Sequence, residues 1–148
     1  MPHEFTLIRQ VDFVDTDMAG IMHFSNYFRF MEATEHAFFR SLGLTLHTQE
    51  DGRMQGWARV HARCDYRRPL RYLDEVRVRL LVRAKRPSSL SYDFHFSRDG
   101  EPVARGALTV VCVAREPGSQ DLRPVPMPPT IAREVEVAPP EVLDPSEA

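Results

Sequence analysis

The residues best placed to do chemistry stand close together: Asp15, Thr16, Asp17, Met18, Ala19 and Gly20, with His23 three positions on. Two carboxylates on a short loop that ends in Ala-Gly and leads into a helix lie beside backbone N–H groups that the helix cannot satisfy internally. That combination suits acyl transfer. A carboxylate attacks a carbonyl or activates water, while N–H groups of the Ile21 to Phe24 region hold the oxyanion that develops. Gly20 lets the backbone come close to a substrate. The same residues have a plainer use, because Asp at such a place often caps a turn or a helix. Spacing alone leaves both readings open and favours the plainer one.

The elements that must position this loop flank it. Residues 5–14 alternate in part, through Phe5, Leu7, Val11 and Phe13, as a first strand half-buried on a core would. From Asn26 the pattern is helical to Ser41, with Leu42-Gly43 as its stop and Ser25 or Asn26 as its N-cap. Arg29, Glu32, His36 and Arg40 share one charged stripe. Tyr27, Phe30, Met31, Thr34, Ala37 and Phe38 cover much of the rest, so the helix must be covered on more than one side.

A loop through His47 and Glu50 then leads to an Asp51-Gly52 turn signal. Beyond it the runs 55–67, 74–84, 88–98 and 103–115 alternate as strands, and Arg98-Asp99-Gly100-Glu101 is a hairpin signal. These four predict an antiparallel meander. From Glu116 onward the prolines exclude a helix or central strand, and residues from about Ala132 read as a mobile acidic tail. The expectation is one domain over residues 1–131, with a tail over 132–148. Its class is α+β, an antiparallel sheet wrapped around one long central helix. So small a sheet leaves a face or edge uncovered, which predicts a homo-oligomer.

Composition narrows the function further. A chain of 148 residues has room for one core, and 43% apolar with 27% charged residues is a globular balance. No apolar run approaches the roughly 20 residues that span a bilayer. Met1-Pro2-His3-Glu4 has no export signal, so the cytoplasm is the expected location. A net charge of -2 removes the general attraction to nucleic acid. The histidines are scattered and Cys64 and Cys112 lie far apart in apolar runs, which predicts neither a metal site nor a disulfide. No Gly-x-Ser-x-Gly elbow and no phosphate-cradling glycine loop is present. Arg83-Ala84-Lys85-Arg86, ahead of Pro87-Ser88-Ser89, forms a local basic cluster. Glu32 and Glu35 are further carboxylates on the helix, and His61, Arg63 and Asp65 alternate on a strand face that is solvated or an interface.

The run from Val11 to Tyr27 resembles the signature of hot-dog-fold thioesterases related to 4-hydroxybenzoyl-coenzyme A thioesterase. Tyr66-Arg67-Arg68-Pro69-Leu70, Leu73-Asp74 and Pro87-Ser88-Ser89-Leu90 resemble that family's later marks in the same order. The resemblance implies a hot-dog fold and hydrolysis of an acyl-coenzyme A thioester to free acid and coenzyme A. It implies Asp17 as the catalytic carboxylate and the backbone N–H of Phe24 as an oxyanion donor. His23 is a candidate either for proton transfer or for lining the acyl pocket. Gly20, Ile21, Tyr27, Lys85, Arg86, Ser88 and Ser89 are the implied substrate contacts. No cofactor is implied, since coenzyme A belongs to the substrate, and relatives assemble as dimers or tetramers. Relatives acting on short aliphatic or carrier-bound acyl groups often have a tyrosine at Phe13 and a tyrosine-histidine pair at His23-Phe24. This chain departs from both. An acyl carrier protein as partner, or an acyl-thioester binding protein without catalysis, are the alternatives. An aspartate near a helix N-terminus is held ionised and is a weak base, which favours Asp17 as nucleophile over general base.

Overall fold

In the computed structural model, which describes residues 1–143, helix α1 spans Asn26–Ser41, as its periodicity predicts. It ends in a paired cap: Gly43 adopts φ +72, its N–H donates to Arg40 O (3.0 Å), and Leu44 N–H donates to Phe39 O (2.9 Å). Tyr27, Phe30, Met31, Thr34, Glu35, Ala37, Phe38 and Phe39 are all buried, so the helix is covered on more than one side.

The cover is one seven-stranded antiparallel sheet. Its strands are β1 (Glu4–Gln10), β2 (Thr48–Glu50), β3 (Arg53–Tyr66), β4 (Glu75–Arg86), β5 (Ser89–Arg98), β6 (Glu101–Arg115) and β7 (Arg123–Pro124). The order is β1-β4-β5-β6-β3-β2, with β7 added on β6. Alternate residues of β4, β5 and β6, among them Val78, Leu80, Phe94, Phe96, Leu108 and Val110, face α1 and form the core. The Met31 side chain lies against Gly106 on β6, where an added Cβ would fall 2.1 Å from Met31 Cε. A larger residue there would need the Met31 side chain to move.

Two expectations need correction. The four long runs are not one meander: β4, β5 and β6 are, but β3 pairs with the far side of β6 and β1 takes the edge of β4. The link from Arg67 to Asp74 is too long for a hairpin and contains Pro69, and the Arg67 and Arg68 N–H groups both donate to Val103 O on β6. The first strand stops at Gln10, and Phe13–Asp15 form a 3-10 turn that leaves Phe13 exposed.

The proline-rich end is also more ordered than its composition suggests. Pro129 opens a short helix α2 (Pro129–Glu134), where proline is tolerated because the first N–H of a helix has no partner anyway. A further turn of helix, α3, covers Pro140–Leu143. The expected tail boundary at 131/132 falls inside α2, and residues 132–138 are docked rather than mobile. Val135 and Ala138 are buried, Glu136 N–H donates to Pro2 O (2.9 Å), and Ala138 N–H donates to Val82 O (2.8 Å). Val82 N–H donates to His3 O (3.0 Å), so its carbonyl also faces the β1 side, where the pairing of β1 begins only at Glu4 opposite Leu81 and leaves it to the docking segment. Residues 144–148 of the expected tail lie outside the described residues.

On the outer face of the sheet, Thr6, Arg79, His95, Arg105 and Asp65 stand in one cross-strand row. Burial, then the charges of Arg105 and Arg79, push the His95 imidazole from its ordinary 6.5 down to about 4, against a smaller opposing pull from Asp93. Between those values the unfolded chain takes up a proton that the folded chain refuses. Stability therefore falls as pH drops from about 6.5 toward 4, and this group contributes no further loss below that. His95→Asn is expected to flatten the fall across that window, measured as urea midpoint against pH. A variant curve parallel to the parent's would contradict the assignment.

Candidate active site

The loop between β1 and α1 is built almost wholly from backbone hydrogen bonds. Asp17 N–H donates to Ile21 O (2.9 Å) and Gly20 N–H to Asp17 O (2.9 Å), a turn that needs Gly20 at φ +79. Met22 N–H donates to Leu70 O (2.7 Å), tying the loop to the β3–β4 link. Asp15 O accepts twice, from His23 N–H (2.9 Å) and from Asn26 Nδ2 (2.8 Å), which ties the loop to the first residue of α1.

The two carboxylates part company here. Asp15 Oδ2 accepts from Asp12 N–H (2.9 Å) and closes the 3-10 turn, so the plainer capping use holds for Asp15. Asp17 gives one oxygen, Oδ1, to Ala19 N–H (2.8 Å), and among the described residues nothing donates to the other. Asp17 also lines two cavities. One, of about 470 Å³, is walled by Met22, Phe24, Tyr27, Tyr66 and Pro69, with Arg67 and Arg68 at its rim. The other, of about 510 Å³, is walled by Phe13, Met18 and Tyr72. An aspartate between two cavities can meet a substrate that occupies either.

Phe24 lines the first cavity, and no group among the described residues accepts from its N–H. An open N–H beside a half-solvated carboxylate is the pair that acyl transfer requires. His23 serves otherwise. Its Nδ1 accepts from Ser25 N–H (3.2 Å) and lies 2.7 Å from Ser25 Oγ, and its ring stacks on Phe24 at 4.6 Å. It is tied to the helix start and is not among the lining residues of either cavity.

Of the other residues singled out in the sequence, Ile21 and Tyr27 line the first cavity and Gly20 the second. Lys85, Arg86, Ser88 and Ser89 do not reach them. Asp17 follows the end of β1 that pairs with Glu75, whereas Arg86 closes the far end of the twelve-residue β4. The distance is about 36 Å along the strand, at ~3.3 Å per residue. Lys85 Nζ moreover donates to Ala132 O and Val135 O, both at 2.7 Å, and so closes the C-terminal end of α2. The helix glutamates lie elsewhere too. Glu35 is fully buried and takes a forked contact from Arg59 (2.6 and 3.2 Å), which Glu32 joins at 3.3 Å.

Sequence reasoning did not single out Tyr66, Arg67 and Pro69 as cavity residues. The signal was there in the basic pair against proline at a strand end. Partial burial pushes the phenols of Tyr27 and Tyr66 up to about 12, so both stay protonated near neutrality.

A family model described as the thioesterase-like superfamily matches residues 11–135. A protein of Aquifex aeolicus, provisionally named an esterase, is 31% identical over 111 residues, covering 75% of this chain and 85% of its own. A 1,4-dihydroxy-2-naphthoyl-CoA hydrolase of Prochlorococcus marinus is 30% identical over 115 residues, covering 72% and 76%. Among solved structures, a 4-hydroxybenzoyl-CoA thioesterase in complex with 4-hydroxybenzoyl-CoA aligns with a TM-score of 0.77 at 20% identity, covering 90% of this chain and 99% of that one. At that identity the likeness shows the fold.

Proposed function

The chain belongs to the thioesterase-like superfamily and is a thioesterase of hot-dog fold, and from that premise we propose that it hydrolyses an acyl-coenzyme A ester with Asp17 as nucleophile. The observation that carries this reading is that Asp17 and Phe24 line one cavity, with one carboxylate oxygen and one backbone N–H left open. The free Asp17 oxygen attacks the thioester carbonyl, and the resulting oxyanion is taken by Phe24 N–H. Collapse of the tetrahedral adduct breaks the C–S bond, releases the coenzyme A thiolate and leaves an acyl–Asp17 anhydride. Water then attacks the anhydride, frees the acid and regenerates the carboxylate. A cavity of about 470 Å³ is in the range that holds a small-molecule ligand. The edge-to-face pair of Tyr27 and Tyr66, with Phe24 beside it, suits an aromatic acyl group.

We further propose that the working form is a homodimer. Strand β3 is covered on its outer edge by β2 only over Arg53–Gln55, so residues 56–66 keep a free edge. A second copy added antiparallel there, centred near residue 61, brings its own Trp57 end beside this chain's Tyr66. Arg59, Val110, Leu90 and Lys85 lie in one row across each sheet. The second copy's turn over 86–89 therefore comes to the Asp17 end. Arg86, Ser88 and Ser89 then serve the phosphates of a substrate held by the other copy.

Asp17→Asn is expected to lower kcat by at least ~100-fold on a panel of aromatic and aliphatic coenzyme A thioesters, with KM nearly unchanged. Retention of most of kcat would overturn the reading. Arg86→Ala is expected to raise KM roughly tenfold and leave kcat alone. Lys85→Ala should instead lower Tm by a few degrees through the two carbonyls it leaves on α2, as about 1 kcal/mol does in a chain of this size. An unchanged KM for Arg86→Ala removes the turn from the site.

A further inference from the structure

We propose that Tyr66 is a positioning residue for the oxyanion donor: its hydroxyl, given to the Phe24 carbonyl, fixes the 24–25 peptide and so the backbone of Phe24, whose N–H in the adjoining 23–24 peptide meets the thioester. The inference rests on the reading of Asp17 and Phe24 given above.

Packing does not hold Phe24. Its side chain is 63% exposed and touches only the neighbouring His23 ring among aromatic groups. The usual clamp at a helix start is missing as well, since Ser25 at the N-cap makes no side-chain capping bond and spends its hydroxyl on His23. The backbone must therefore be held from outside, peptide by peptide. The 22–23 peptide is fixed by His23 N–H to Asp15 O (2.9 Å). The 23–24 peptide, which carries the donor, is held at its other end by Asn26 N–H to His23 O (2.9 Å). A hydrogen bond accepted at that carbonyl also polarises the N–H across the same amide. The 24–25 peptide is held at one end by Ser25 N–H to His23 Nδ1 (3.2 Å) and at its carbonyl by Tyr66 Oη, which donates to Phe24 O at 2.9 Å.

Of these four anchors only Tyr66 comes from a different part of the fold. It sits at the end of β3, paired with Ala104 on β6. Its ring meets the buried Tyr27 edge-on at 4.9 Å, and the two residues after it are pinned to Val103 O. Without that bond, rotation about the Phe24 backbone is limited only by the loop's own hydrogen bonds. The phenol remains a donor through the neutral and alkaline range, because partial burial keeps it protonated up to about 12.

The test is Tyr66→Phe, which keeps the ring and removes the donor. Four quantities are measured: kcat, KM, and the affinities for two coenzyme A analogues, a trifluoromethyl ketone that forms an oxyanion and a thioether that cannot. The expected result is a roughly tenfold fall in kcat and in trifluoromethyl ketone affinity, with KM and thioether affinity within about twofold of the parent. Tyr66→4-aminophenylalanine, which restores a para N–H donor, should recover most of the loss. Unchanged kcat and ketone affinity would overturn the inference. An equal loss of thioether affinity, or failure of the amino variant to rescue, would reduce Tyr66 to a packing role and overturn it too. If Asp17→Asn is inactive while Tyr66→Phe is normal, only this inference falls; if Asp17→Asn stays active, the underlying reading falls with it.

Discussion

Helix α1 buries eight of its sixteen residues against the concave side of one sheet, and that burial decides where its N-terminus emerges. The sheet must curl far enough to cover Tyr27 at one end and Phe39 at the other, so both helix ends come out at its rim. At the N-terminal rim the unsatisfied N–H groups meet a loop that has just left β1. The loop packs on the core only at its two ends, through Val11 and Met22, while Phe13, Val14 and Met18 between them are largely exposed. That exposed stretch is held by the Met22 N–H bond to Leu70 O and by the Asn26 side chain, whose Nδ2 donates to Asp15 O. A rigid helix start and a loop fixed to it put a carboxylate and an open N–H into one cavity.

Much of this was legible in the chain itself. The limits of α1 follow from its apolar spacing and from Leu42-Gly43, because a helix stop is local chemistry. The turns at Asp51-Gly52 and Asp99-Gly100 are equally local, with both aspartates and both glycines at positive φ. Strand order was not legible. Alternation marks β3 as a strand but carries no information on which edge of the sheet it joins, and its partner β6 starts 35 residues beyond its end. The proline-rich segment misleads for a different reason. Proline forbids helix interiors but not helix starts, and the docking of Val135 and Ala138 depends on a Val82 carbonyl left open where the pairing of β1 with β4 ends.

The site divides in the same way. Asp17 and Phe24 lie within one short stretch, so their association survives any uncertainty in topology. Tyr66 and Phe24 are 42 positions apart, and no spacing rule brings them together. Lys85 shows the converse limit: in sequence it belongs to a basic cluster, whereas in the fold its ammonium meets two carbonyls of α2, 47 and 50 positions away. The acidic loop needed both of its readings, with Asp15 capping and Asp17 open.

The central claim is that Asp17 attacks the thioester carbonyl itself. Single turnover with enzyme in excess, in oxygen-18 water, followed by mass analysis of the peptide carrying Asp17, tests it most directly. Water attack at the aspartyl carbonyl of the anhydride puts oxygen-18 into the Asp17 carboxylate, and that is the result this account predicts. A product acid carrying all of the label, with Asp17 unlabelled over repeated turnovers, would contradict it: water then reaches only the acyl carbonyl, as it does when Asp17 is a general base.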